Sequence, residues 1–120
     1  MSVYSGQCHC GSVKFELTSD EAITTAAKCN CSLCRRKGYP MLLVPKEQFS
    51  LLEGESSLSD YQWNTKAAHH YFCRNCGVYT HHKPRTAPDM IGVNAGCFDE
   101  IEPNDLKIDM RNGAGLSLEN

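Results

Sequence analysis

The sequence predicts a mainly β domain built from short strands. Its apolar segments are brief and are bounded by glycine, proline and small polar residues. Apolar and polar residues alternate with the period of two that is typical of a half-buried strand, and no stretch of ten or more residues keeps a helical period. A length of 120 residues without internal repeat or linker suits one domain with a modest core.

The first half of the chain contains three strand candidates. Residues 13–18 alternate apolar and polar side chains, and Gly6 and Gly11 mark turns or bulges around them. Residues 22–28 are small and tolerate extended structure, so they could form a second strand that leads into a cysteine cluster. Residues 41–44 are an apolar run between two prolines, which favours a third strand.

The second half continues with equally short segments. Residues 45–49 could make one helical turn before extended structure resumes at residues 50–52. Residues 78–80 and 90–93 predict two more strands, separated by a polar loop that contains two prolines.

Composition and charge exclude several classes of protein. Hydrophobic residues make up 41% of the chain and charged residues 22%, which is ordinary for a globular domain. No apolar run approaches the roughly 20 residues that span a bilayer, and no secretory signal is visible, so we expect a cytoplasmic protein without membrane contact. A net charge of −2 and a pI near 6.2 disfavour a nonspecific nucleic-acid binder.

The eight cysteines are the outlying feature of the composition. Most of them lie within three residues of another cysteine, a spacing that metal sites need and disulfides do not. In a reducing compartment such clusters indicate metal. The groups are Cys8-x-Cys10, Cys29-x-Cys31-x-x-Cys34 and Cys73-x-x-Cys76, with Cys97 alone.

Two of these groups can form a closed site of four thiolates. Alternate residues of a strand point to one face, so Cys8 and Cys10 can present their thiols together. Cys73 and Cys76, followed by Gly77, have the spacing of a zinc-knuckle turn. Four thiolates make the tetrahedron that structural zinc prefers, and such a site contributes to folding stability outright.

The remaining cluster has three ligands. Cys29 and Cys31 can share a strand face and Cys34 can return through a turn, so the three thiols can meet one metal ion. Three protein ligands with an open fourth position are typical of a catalytic zinc. Cys97 could be the fourth ligand, a reactive thiol or a small buried core residue, and the sequence leaves these alternatives open.

The charge of this second site limits the Lewis acidity of its metal and the kind of substrate that it suits. Three thiolates on Zn²⁺ leave a net charge of about −1, so the metal is a weaker Lewis acid than one held by neutral histidines and suits a soft thiolate substrate. Arg35 and Arg36 could offset that charge, or could simply be solvated. No residue stands out as a general base.

The histidines are interpreted most simply as structural. His69 and His70 occupy a probable strand, so one should point inward and the other outward. His81 and His82 begin the polar loop and are expected to be exposed. His9 is expected to pack or cap on the reverse face from the thiols beside it.

Four segments resemble the glutathione-dependent formaldehyde-activating enzyme family, which includes the centromere protein V domain. They are GQCHCGSVKFEL, CNCSLCRRKG, YFCRNCGVYTHH and VNAGCFDE, in the expected order. A single CxxC is common, but this ordered set is specific. The resemblance covers residues 4–108 and implies one zinc domain there, followed by a C-terminal tail at residues 109–120.

The resemblance implies a β-tent fold with two zinc ions, one structural and one catalytic. It also implies a carbon–sulfur lyase-class reaction that joins formaldehyde and glutathione to S-(hydroxymethyl)glutathione, or acts on another thiol–aldehyde adduct. A zinc-stabilised binding module without catalysis is the alternative. The implied structural ligands are Cys8, Cys10, Cys73 and Cys76, and the implied catalytic ligands are Cys29, Cys31 and Cys34.

Overall fold

The computed structural model describes residues 2–62, 66, 68–84 and 87–111, and the mainly β prediction is confirmed. These ranges contain ten strands, one α-helix and four single-turn 3-10 helices. The strands are β1 (Ser2–Gln7), β2 (Lys14–Ser19), β3 (Thr25–Cys29), β4 (Met41–Pro45), β5 (Phe49–Glu53), β6 (Leu58–Tyr61), β7 (His69–Cys73), β8 (Tyr79–Lys83), β9 (Met90–Asn94) and β10 (Lys107–Arg111). The α-helix α1 is Ser32–Lys37, and the 3-10 helices are Lys46–Gln48, Glu55–Ser57, Ala95–Cys97 and Pro103–Asp105.

The strands form two sheets. One has three strands in the order β1-β2-β5, and the other has seven in the order β10-β3-β4-β9-β8-β7-β6. All neighbouring strands run antiparallel except β10 and β3, which are parallel. No helix in the described part of the chain is long and apolar enough to cross a membrane.

The last strand extends beyond the predicted end of the domain. In the parallel ladder Ile108 lies beside Ala26 and Arg111 lies beside Cys29. Residues 109–111 therefore belong to the larger sheet, because their backbone groups pair with β3, whereas the sequence assigned them to a tail. Residues 112–120 of that tail lie outside the described residues.

Both sheets contribute to one core. Phe15 and Leu17 of β2 are almost completely buried, as the alternation in residues 13–18 predicts, and they belong to the same buried cluster as Val93 of β9. The rings of Phe15 and Phe98 meet edge to face, with their centroids 5.5 Å apart. Gly6 forms an isolated bridge to Phe98, so β1 of the smaller sheet also contacts, through the backbone, the segment that follows β9.

Candidate metal centres

Four thiols come together where the β1–β2 connection meets the end of β7. The Sγ atoms of Cys8, Cys10, Cys73 and Cys76 all lie within 4.8 Å of one another. Cys10 Sγ is 3.7 Å from both Cys8 Sγ and Cys73 Sγ. A tetrahedral zinc with Zn–S bonds of about 2.3 Å has S–S edges of about 3.8 Å. The donor set and its spacing therefore fit zinc.

The two halves of this four-cysteine cluster are built alike. The Cys8 amide donates to the Val13 carbonyl at 3.1 Å, and the Cys73 amide donates to the Val78 carbonyl at 2.9 Å. Each hydrogen bond closes a turn of the same length around a pair of thiols. The two pairs then face each other across the sheets.

Tight turns, rather than an extended strand, present the Cys8 and Cys10 thiols. Residues 8–13 lie between β1 and β2, so the prediction that Cys8 and Cys10 share a strand face is wrong. Gly11 has a φ of 83° and Gly77 a φ of 77°, a left-handed conformation that glycine adopts without steric cost. The thiols converge because the chain reverses at these glycines.

Hydrogen bonds favour the ionised form of one thiol in this cluster. Burial raises the pKa of Cys76, but hydrogen bonds from the backbone of Cys10 and Val78 and from the neighbouring thiols outweigh it and lower the pKa to about 6. Since zinc binds the thiolate, this ligand is prepared for metal at neutral pH.

The second cluster lies where β3 ends and α1 begins. The Sγ atoms of Cys29, Cys31 and Cys34 lie within 4.8 Å of one another. Cys31 caps the helix, and its Sγ accepts a hydrogen bond from the Cys34 amide at 3.3 Å. Gly38, with a φ of 71°, ends the helix by donating to the Cys34 carbonyl. The predicted turn is therefore a capped helix, and only Cys29 of the three belongs to a strand.

Cys97 does not complete this three-cysteine cluster. Within the described ranges no fourth Cys, His, Asp or Glu side chain joins the three thiols. Cys97 is buried, and its thiol donates to the Tyr79 carbonyl at 3.8 Å. Burial raises the pKa of Cys97 to about 12. Of the alternatives left by the sequence, the structure favours the buried core residue.

A cavity of about 510 Å³ opens beside the three-cysteine cluster. Its volume is within the usual range for small-molecule sites. Two of the thiols form part of its wall, together with two cationic side chains, one tyrosine and one methionine. These residues are Cys29, Cys34, Lys28, Arg35, Tyr39 and Met110.

The family model of the glutathione-dependent formaldehyde-activating enzyme matches residues 3–112. The chain belongs to this family. A crystal structure of a protein from Rhodobacter sphaeroides is also similar, at 35% sequence identity and a TM-score of 0.80. The match covers 88% of this chain and 99% of that one.

In this member of the formaldehyde-activating family Lys37 is a buried cation that interacts with the Cys34 thiol. Arg36, which the sequence offered as a counter-charge, instead donates to the Ser32 carbonyl of its own helix at 2.7 Å. Lys37 Nζ is buried, lies 3.9 Å from the centroid of the Tyr79 ring, and finds no oxygen or nitrogen acceptor among the described residues. Burial lowers the pKa of Lys37, and the thiols of the three-cysteine cluster act in the opposite direction.

Burial also dominates the electrostatics of Cys34 and Tyr39. It raises the pKa of the Cys34 thiol to about 12, against the opposing effect of Lys37. It holds the pKa of Tyr39 well above its usual value. The neutral thiol and phenol are therefore favoured here unless a cation or metal binds.

Two buried histidines lie behind Tyr79. A hydrogen bond joins the Tyr79 hydroxyl to His70 Nδ1, and the His70 and His82 rings stack with their centroids 5.6 Å apart. Burial lowers the pKa of His70 to about 4 and that of His82 well below its usual value, so both are neutral at physiological pH.

These positions test the sequence-based expectations for the histidines. His70 is buried and His69 is half-buried, as alternation predicts. The expected exposure of His81 and His82 is wrong, because the residues continue β8, an inner strand between β7 and β9. His9 is exposed, which differs from the packed or capping position expected for it.

A β-bulge directs Tyr79 toward these histidines. Tyr71 pairs with His81 but Phe72 pairs with Tyr79, so Thr80 is an extra residue in β8. In a regular strand Tyr79 and His82, three positions apart, would face opposite sides. The bulge changes that alternation, and the Tyr79 ring lies 6.4 Å from that of His82.

Proposed function

We propose that this chain is a zinc enzyme that joins a thiol to an aldehyde, in the manner of S-(hydroxymethyl)glutathione synthesis. The observation that carries the proposal is the three-cysteine cluster, which opens onto a cavity and has no fourth protein ligand among the described residues. In this proposal Cys29, Cys31 and Cys34 hold a catalytic zinc, and the four-cysteine cluster holds a structural one.

The chemistry of the donors supports zinc in both places. Thiolates are ligands for soft and borderline metals, and three of them leave a position for an exchangeable ligand. When bound there, zinc would supply a site that lowers the pKa of an incoming thiol and favours its nucleophilic form.

The cavity supports a thiol that carries carboxylates. Lys28 and Arg35 add two positive charges to its wall, while Met110 adds an exposed apolar surface. Glutathione combines a thiol with two carboxylates and a flexible peptide backbone, so it matches this combination of charge and apolar surface. We propose that its carboxylates pair with Lys28 and Arg35 while its sulfur points toward the three cysteines.

Lys37 supports the same proposal through charge. Three thiolates and a dication carry a net charge of about −1 before any substrate thiolate arrives. The buried Lys37 ammonium lies on α1 one turn after Cys34, where it offsets this charge. An anionic thiol can therefore approach a site that would otherwise repel it.

The direct test is exchange NMR of glutathione and formaldehyde with zinc-loaded protein. We expect the formation and breakdown of S-(hydroxymethyl)glutathione to proceed faster than the spontaneous reaction. Cys31→Ser should abolish the acceleration while leaving the four-cysteine cluster intact. If the wild-type protein holds two zinc ions and does not accelerate the reaction, the hypothesis of an enzyme is contradicted and the zinc-stabilised binding module is favoured.

The substrate assignment has its own control. Replacing Lys28 and Arg35 together by Gln should raise the KM for glutathione and leave kcat nearly unchanged, since these side chains would bind remote carboxylates. A thiol without carboxylates, such as 2-mercaptoethanol, should not distinguish the variant from the wild type. Equal KM values for glutathione in both proteins would exclude these cations as its partners.

A further inference from the structure

Lys37 and Tyr39 leave two hydrogen-bond donors buried beside the three-cysteine cluster. Among the described residues Lys37 Nζ has the Cys34 thiol beside it but no oxygen or nitrogen acceptor. The Tyr39 hydroxyl lies near the Tyr79 hydroxyl without a hydrogen bond of ordinary geometry. Buried donors without full acceptors cost free energy, so a ligand oxygen placed beside them would be stabilised.

The two donor side chains are neighbours, and one of them lines the cavity. Lys37 Nζ lies 5.4 Å from the centroid of the Tyr39 ring and 3.9 Å from that of Tyr79. Tyr39 also lines the cavity that contains Cys29 and Cys34. A small molecule bound at the thiols therefore meets Tyr39 in the cavity wall, and Lys37 Nζ lies beside the Tyr39 ring.

Tyr79 and His70 hold this pair in place. The Tyr39 and Tyr79 rings pack with their centroids 5.0 Å apart, and Tyr79 is fixed in turn by its hydrogen bond to His70. Asn94 donates to the Tyr79 carbonyl at 2.8 Å, which anchors the backbone of the bulge. The donors are thus held by packing before any ligand arrives, as electrostatic stabilisation of a transition state requires.

We propose that Lys37 and Tyr39 form an oxygen-binding subsite that holds the aldehyde oxygen while carbon–sulfur bond formation gives it negative charge. This assignment deepens the proposed function and rests on it for the identity of the aldehyde. A planar C1 oxyanion such as formate should occupy the same subsite, because it presents an oxygen of similar size and charge.

The chemical step balances without an oxidant or reductant. A sulfur lone pair of the thiolate forms the S–C bond, and the C=O π pair moves to oxygen. The resulting alkoxide takes a proton from the Tyr39 hydroxyl. The tyrosinate then regains the proton that the thiol released when it ionised, so the adduct forms with no net gain or loss of protons. Tyr39 is the catalytic residue in this step, and Tyr79 and His70 are positioning residues.

Binding of ¹³C-formate tests the subsite without depending on activity. Its dissociation constant can be measured by NMR with zinc-loaded protein. We expect Tyr39→Phe and Lys37→Met each to raise that constant about tenfold or more, since each removes a donor to an anion. Tyr61→Phe, at an exposed tyrosine, and Lys83→Met, at an exposed lysine that also lies over a tyrosine ring, are the matched controls. Both should bind formate as the wild type does.

The outcomes separate this inference from the proposed function. The subsite is overturned if the wild type does not bind formate, or if Tyr39→Phe binds it with equal affinity. It is also overturned if Cys31→Ser loses formate binding while Tyr39→Phe keeps it. Zinc content is measured for every variant, so that metal loss is not mistaken for loss of the subsite. In the exchange assay Tyr39→Phe should lower kcat about 100-fold with little change in KM for glutathione. If the wild type does not accelerate the glutathione–formaldehyde reaction but formate binding still requires Tyr39, the proposed substrate is wrong and the subsite assignment stands.

Discussion

His82 packs directly against Gly92 of the neighbouring strand. The two residues are paired in the β8–β9 ladder, and a β-carbon at position 92 would lie 2.7 Å from His82 Nδ1. We expect Gly92→Ala to destabilise the fold by about 1–3 kcal/mol, because the buried ring must move. Urea denaturation in the presence of zinc measures this change.

A double-mutant cycle identifies the cause of the Gly92 effect. In a His82→Ala background the collision is absent, so Gly92→Ala should cost much less. An equal cost in both backgrounds would show that the backbone, rather than the imidazole, requires glycine.

Phe98 should contribute strongly to stability. It is 1% exposed, packs edge to face on Phe15 and bridges to Gly6, so it fixes the segment after β9 to the smaller sheet. We expect Phe98→Ala to lower the free energy of unfolding by about 3–5 kcal/mol. Val3→Ala, at a residue that is 53% exposed, serves as the control and should change it by less than about 0.5 kcal/mol.

The two cysteine clusters should differ in what their zinc does. Cys73→Ser and Cys31→Ser should each reduce the zinc content by about one ion per chain. Cys73→Ser should also lower the melting temperature sharply, because the four-cysteine cluster joins the β1–β2 connection to the end of β7. Metal analysis and calorimetry of the two variants distinguish a structural from a dispensable site, and similar melting temperatures would contradict this division.

Cys97→Ala should leave both metal sites filled. Its thiol donates to a backbone carbonyl and does not belong to the three-cysteine cluster. We expect an unchanged zinc content and a loss of stability of about 1 kcal/mol from the lost packing and hydrogen bond. Loss of one zinc ion in this variant would instead make Cys97 a ligand.

The buried His81 should make stability depend on pH. Burial first, and then Lys83, lowers its pKa from 6.5 to about 4, so between these values the unfolded chain takes up a proton that the folded chain does not. Stability from the neutral ring is therefore intact above pH 6.5 and is lost as the pH falls toward 4, by at most about 3 kcal/mol. His81→Gln should show a flatter profile across this range, whereas His9→Gln, at an exposed residue, should follow the wild type. Parallel profiles for His81→Gln and the wild type would contradict the assignment.

The sequence predicted the strands that have a periodic pattern. Alternation identified residues 13–18, and the two prolines bounded the strand at residues 41–44. The helical turn expected within residues 45–49 is the 3-10 helix Lys46–Gln48. Cysteine spacing alone separated a group of four from a group of three, and the thiols of each group do lie together.

Features that depend on distant partners could not be predicted in this way. Helix α1 has six residues, too few for a helical period, and β10 consists mostly of exposed or half-exposed residues that become a strand only beside β3. The meeting of Lys37, Tyr39 and Tyr79 depends on a helix cap and on a bulge in β8. Neither can be recognised from a short local sequence.

The parallel pairing of β10 with β3 joins two strands that are synthesised at very different times, so β3 is made long before it can pair with β10. Cys29, Cys31 and Cys34 leave the ribosome well before Arg111, which pairs with Cys29 and accepts from the Asn30 amide. A pairing of such long range must wait until the later segment exists. Until Arg111 has been made, the three thiols therefore lie next to a strand whose partner β10 is still missing.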